Sequence, residues 1–143
     1  MTEEDQSPVV EEEEADKVGR FARFTRKILD RKELSDDAIG IWPQTMPPFP
    51  WHFGGQRFHN LFVKAEEIVD LCEHASLRVC LDVSHSKLAC NHLKASFQQF
   101  LEQVLPHTAH LHLADARGVD GEGLQIGEGE VDFYSLAESF QHY

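Results

Sequence analysis

This sequence has no apolar run of membrane-spanning length, and its glutamate-rich start is unlike a secretory leader. A cytoplasmic protein with no membrane partner is expected. Cysteine is scarce. Cys72, Cys80 and Cys90 make an odd number, two of them sit in apolar patterns, and no two form a C-x-x-C pair. That argues against a C-x-x-C metal or redox module and for reduced core thiols. Bases are also few, 13 Lys and Arg against 25 Asp and Glu, for a formal charge of −12. A surface this acidic repels a phosphate backbone, which counts against nucleic acid as a partner. There is no internal repeat of the solenoid kind.

What is present is unevenly distributed. The 143 residues suffice for one domain with a core. Residues 1–16 carry eight acids and no base, hence −8, and lack the apolar content for a core. They are expected to form a disordered acidic tail. Residues 17–32 carry seven bases and one acid, hence +6. There Val18, Phe21, Phe24, Ile28 and Leu29 fall near helical spacing, so a basic amphipathic helix and linker are expected over 17–37. Such a helix suits a membrane surface or a partner. The favoured expectation is the plainer one, a helix packed on its own domain or neutralised by the acidic tail.

Residues 38–143 read as the folded domain. "AIGIW" (38–42) suggests a short strand. "PQTMPPFPWHFGGQ" (43–56), with four prolines and two glycines, is loop, its aromatics lining a pocket or covering a barrel mouth. A helix is expected over 64–74, with Ala65, Ile68, Val69 and Cys72 as its stripe, and a strand over 77–83. A second helix is expected over 91–105, on Leu93, Phe97, Phe100, Leu101 and Val104, then a strand, "TAHLHLA", over 108–114. A glycine-rich loop, "RGVDGEGLQIGEG", leads into a final helix within "VDFYSLAESFQHY". Val79 and His110 are 31 positions apart, the length of one β-α-β unit. Such a unit joins parallel strands by a right-handed crossover and implies an α/β fold.

In parallel α/β folds working groups gather at the carboxyl ends of strands. The stretch "RVCLDVSHSKLAC" (78–90) ends an apolar strand in Asp82 and presents His85 three residues on. On the next strand His110 and His112 share a face, His112 nearer the carboxyl end. Asp82, His85 and His112 make a nitrogen and oxygen ligand set suited to Zn, Mn, Fe or Co. Three protein ligands with open positions describe a catalytic metal rather than a structural one. A dication would keep both imidazoles deprotonated. Against this stand the ordinary roles of Asp and His in caps and turns. His110, deeper on its strand, reads as a hydrogen-bonded core histidine.

These residues carry a resemblance. "CLDVSHSKLA", "HLHLADARG" and "GEGEVDF", in that order, resemble the xylose isomerase-like TIM-barrel superfamily of sugar-phosphate isomerases and epimerases, inosose dehydratase-type enzymes and the endonuclease IV group. The resemblance covers about residues 38–143. It implies part of a (β/α)8 barrel, about strands four to six, with crossover helices. It also implies a divalent metal (Mn, Zn, Co or Mg) on Asp82 and His112, with His85 as a third ligand or a substrate contact. Gly127 and Gly129 would shape the loop, and Asp132-Phe133 would start the following helix. The substrate class implied is a small sugar or sugar phosphate. In isomerase members the metal polarises the sugar carbonyl, and two glutamates bind it and shuttle the proton.

The sequence departs from that pattern. A whole barrel takes about 250 residues. Strands one to three are replaced by the acidic tail and basic helix, and strands seven and eight, with their glutamate, are missing. Where the fourth strand would supply the other glutamate the chain reads Pro43-Gln44. Gln44 could offer a carbonyl to a metal or substrate, but an amide is no general base. Glu128 and Glu130 read as solvated loop charges. Exposed strand edges imply completion by another copy or segment, a longer protein, or a truncated remnant. Three functions follow. The first is a metal-dependent sugar isomerase or epimerase domain, truncated and inactive alone. The second is a non-catalytic interaction module on an enzyme fold. The third is a metal-dependent phosphodiesterase, disfavoured because Asp120 is followed by Gly121-Glu122 rather than an Asp-x-His pair.

Overall fold

The structure is a computed structural model that describes Gly19, Arg23, Lys27 and residues 41–49 and 60–141. The chain divides into two compact units, Met1–Ile41 and Trp42–Tyr143. In the first, Gly19, Arg23 and Lys27 are helical, within the stretch expected to be a basic helix. The expected acidic tail, most of the basic helix and residues 38–40 of the expected first strand lie outside the described residues. No helix among the described residues is long and apolar enough to cross a membrane.

The second unit is built on parallel pairing. Helix α1 (Ala65–Ala75) buries Ala65, Ile68, Leu71, Cys72 and Ala75 and ends at Ser76 in the left-handed conformation. Strand β1 (Val79–Asp82) is buried at all four positions. It pairs in parallel with β2 (Thr108–His112), setting Cys80 against His110, Leu81 against Leu111 and Asp82 against His112. On its other side β1 bridges Gln44 in parallel, through Thr45 N–H to Cys80 O (3.0 Å) and Cys80 N–H to Pro43 O (2.9 Å). Residues 43–45 therefore take the place of a strand, although the prolines around them read as loop. Ile41 and Trp42, expected in a strand, have no assigned secondary structure.

The crossover differs from the sequence expectation. The chain does not loop after β1. Asp82 caps helix α2 (Val83–Leu93) at once, its carboxylate accepting from His85 N–H at 3.0 Å. Lys94, left-handed at φ 56°, ends α2, and Ser96 caps helix α3 (Phe97–Val104) by accepting from Gln99 N–H. The single helix expected over 91–105 is thus two. The reason is legible afterwards: α2 buries Ser84 and Ser86 beside Val83, Leu88, Ala89 and Cys90, so it carries no clean apolar stripe.

The core joins Ile68 and Leu71 of α1, Val79 and Leu81 of β1, Val83 and Leu88 of α2, and Leu101 and Val104 of α3. By contrast β2 exposes Ala109, His110 and His112, and Leu113 just beyond it is 53% exposed. Among the described residues the parallel sheet stays open at this side and no barrel closes.

The glycine-rich loop is also structured. An antiparallel hairpin of β3 (Asp115–Arg117) and β4 (Gly121–Leu124) opens it. Helix α4 (Phe133–Phe140) follows, capped by Asp132, which accepts from Tyr134 N–H and Ser135 N–H, both at 3.1 Å. Glu130, expected as a solvated charge, is anchored by Asn91 Nδ2 and by Gly118 N–H at 3.2 Å.

Candidate functional site

The register delivers polar groups to one rim. Residues 80 and 82 of β1 point to one side by the two-residue period, and their partners 110 and 112 point with them. Asp82 Oδ2 stands 3.4 Å from His112 Nδ1 and 3.7 Å from His85 Nδ1. The three residues expected as ligands are therefore gathered around one carboxylate oxygen. Gln44, the fourth residue singled out, donates from Nε2 to that same oxygen at 2.9 Å. The carbonyl end of its amide is the end left for a ligand.

His85 is the most constrained member. Its Nδ1 lies 2.9 Å from Thr45 O, and a carbonyl only accepts, so Nδ1 carries a hydrogen. Nε2 lies 2.9 Å from Glu122 Oε1, a contact that holds when either partner carries the proton. In this arrangement the ring has both nitrogens engaged. His112, half exposed, does not share that restriction.

Residues that no spacing announced do the positioning. Thr45 is buried, and its hydroxyl accepts from Asp82 N–H (2.9 Å) and Ser86 Oγ (2.9 Å) and donates to Asp82 O (3.3 Å). One hydroxyl thus joins the 43–45 segment to the end of β1 and the first turn of α2. Gly123 N–H donates to Ser84 Oγ at 2.9 Å, which brings β4, and with it Glu122, over the helix start. A lone Thr inside a proline-rich stretch carries no signal in one dimension.

His110 is a correction. It is an exposed residue, stacked on the Trp42 ring at 5.7 Å between centroids and edge-on to His112 at 5.3 Å. The depth inferred from its place on the strand fails because, among the described residues, β2 pairs with β1 alone and its positions 109, 110 and 112 are exposed. Among the described residues, one ligand atom each from Cys80, His110 and His112 lie within 4.8 Å of one another. Burial and the Asp82 charge push the Cys80 thiol above its ordinary value, against a bond from the His112 backbone N–H. Of the aromatics in the proline-rich loop, Phe49 is buried edge-on to His92 at 4.8 Å, and residues 50–59 lie outside the described ones.

Comparison with known proteins agrees with this architecture. A family model described as a xylose isomerase-like TIM barrel matches residues 5–143. An uncharacterized protein of Methanocaldococcus jannaschii is 32% identical over 130 residues, which is 85% of this chain and 42% of that protein. The crystal structure of a D-tagatose 3-epimerase-like protein superposes with a TM-score of 0.66 at 22% identity, over 98% of this chain and 48% of that one. The chain therefore spans less than half the length of either protein. The fold is α/β, with parallel strands and crossover helices arranged as in part of such a barrel.

Proposed function

This chain belongs to the xylose isomerase-like TIM barrel family, and on that premise we propose that it is a divalent-metal-dependent sugar or sugar-phosphate isomerase or epimerase domain that needs further barrel strands to turn over substrate. The observation that carries the reading is the 3.4 Å approach of Asp82 Oδ2 to His112 Nδ1 at the carboxyl ends of adjacent parallel strands. Asp82 and His112 would hold the ion, Mn, Zn, Co or Mg, and a bound ion would polarise a sugar carbonyl and acidify the neighbouring C–H. His85, its Nδ1 held by Thr45 O and its Nε2 by Glu122, is a contact to a sugar hydroxyl, or a third ligand if Glu122 lets go and the ring turns to bring Nε2 to the ion. Gln44 offers its carbonyl to the substrate.

The need for completion rests on two features. Gln44 stands beside Asp82 where a proton-shuttling acid would serve, and an amide cannot take a proton. Among the described residues, the positions of β2 that carry the histidines are exposed. By itself the chain then binds without turnover, as an interaction module also would, and a further segment or a second copy supplies the missing wall. A cytoplasmic setting fits the three cysteines, all buried and unpaired. A phosphodiesterase has less support, since Glu122 is bonded to His85 and the chain carries −12.

Elemental analysis with native mass spectrometry tests this. After incubation with Mn2+, about one ion per chain is expected. Asp82→Ala should lose it. No bound ion at saturating Mn2+ would overturn the reading. Interconversion of a ketohexose such as D-tagatose by the isolated chain would overturn the need for completion.

A further inference from the structure

We infer that Cys80, His110 and His112 form a second metal site, selective for thiophilic ions of the zinc class, that competes with the Asp82 site for the His112 imidazole. The site rests on register. Cys80 opposes His110 and Asp82 opposes His112 in the parallel ladder, so all four side chains project from one face of two paired strands. Sulfur and one nitrogen from each imidazole already lie within 4.8 Å of one another. Around a tetrahedral ion with bonds of about 2.0–2.3 Å, neighbouring ligand atoms stand about 3.5 Å apart. The remaining adjustment is on the order of an ångström. It can fall on the two exposed rings, while Cys80 stays fixed in the buried strand.

The donor set decides the ion. One sulfur and two imidazoles form a soft triad with an open fourth position, which favours zinc-class ions over Mg or Mn. Asp82 with His112 is the harder pair and keeps its affinity for the oxygen-loving ions. As the sulfur–metal bond forms, the thiol proton leaves to solvent. A neutral imidazole has a single lone pair, so His112 serves one site at a time. Loading the soft site therefore removes a ligand from the harder one. That inhibitory consequence rests on the function proposed above. The soft site itself does not.

Cobalt(II) separates the two, because a thiolate ligand gives it an intense near-ultraviolet charge-transfer band that carboxylate and imidazole do not. Co2+ is titrated into the full chain with absorption followed, and Mn2+ binding is read in parallel by electron paramagnetic resonance. The band should saturate at about one equivalent and be abolished in Cys80→Ser, with at least about tenfold weaker binding in His110→Ala. It should persist in Asp82→Asn, which should lose Mn2+, and Zn2+ should erase it and release Mn2+ from the wild type. His110 is exposed, so His110→Ala keeps the test valid should Cys80→Ser not fold, which circular dichroism reports. No band at saturating Co2+, or a band unchanged in Cys80→Ser or His110→Ala, overturns the site. A wild type that shows the band but never binds Mn2+ removes the proposed function and leaves this site standing. Mn2+ binding that Zn2+ leaves untouched, with the band present, overturns the competition.

Discussion

Two buried aspartates, Asp82 at the end of β1 and Asp115 three residues beyond the end of β2, differ in a way that separates a working carboxylate from a building one. Asp115 is 1% exposed and accepts four backbone N–H groups: Ala116 at 2.8 Å and Val131 at 3.0 Å on Oδ1, Gly127 at 2.9 Å and Gly129 at 2.8 Å on Oδ2. Its lone pairs are used up, and by main chain, which cannot swing away. Asp82 is 8% exposed; its Oδ1 takes one main-chain bond, from His85 N–H, but its Oδ2 faces only side chains, those of Gln44, His85 and His112. Burial and charge are shared. What differs is whether the partners can be exchanged.

The largest effects should fall on Asp115. Asp115→Ala strands four N–H groups at about 1–3 kcal/mol for each left without an acceptor, so a loss of about 3 kcal/mol or more is expected in urea unfolding. Gly129→Ala should approach it, because a Cβ there runs into Asp115 Oδ1 and Ala116 O. Asp82→Asn should cost less than about 1 kcal/mol, since an amide oxygen can still accept from His85 N–H. If Asp82→Asn unfolds the chain as readily as Asp115→Ala, the contrast is broken.

Acid sharpens it next. Burial raises the Asp115 carboxyl, but the four backbone bonds outweigh that and hold it below the usual carboxylate range. A group depressed in the folded state contributes fully above its unfolded value of about 3.9 and loses that contribution as pH falls through the lower folded value. Urea midpoints should therefore drop as pH goes from about 5 to about 2, and should drop less in Asp115→Asn. Equal slopes for the two proteins would remove Asp115 from the acid response.

A smaller effect concerns the thiols. Burial pushes Cys72 up to about 11 and Cys90 up to about 12. Neither should be alkylated by iodoacetamide in the folded protein at neutral pH, and both should react in urea, as peptide mass mapping would show. Ready modification of either in the native state would contradict the packing around α1 and α2. Also small is Ser96→Ala, which removes the cap of α3 and should cost about 1 kcal/mol in urea unfolding.

The strand ends could be read in advance because their signal is local. An apolar triplet ending in Asp82, and a strand with His110 and His112 two apart, announce β1 and β2 and the face that their side chains share. Helix α2 could not, because burial on several sides erased its period and let Ser84 and Ser86 inside. The Asp115 nest was equally silent. Three of its four donors lie 12 to 16 positions from the acceptor, and only the chain's return makes them neighbours. Thr45 and Glu122 entered the site from segments about 40 residues away, a distance over which no periodicity reports contact.

Sequence alone determined the charge, the alternation of helix and strand, and which residue types would stand at the carboxyl ends, since these follow from composition and short-range period. Tertiary structure decided the rest. It settled which of those groups meet, that His110 lies open to solvent rather than in a core, and that Asp82 has exchangeable partners while Asp115 has none. The physical reason is that register, burial and hydrogen-bond saturation belong to pairs of segments, and a single segment does not carry them.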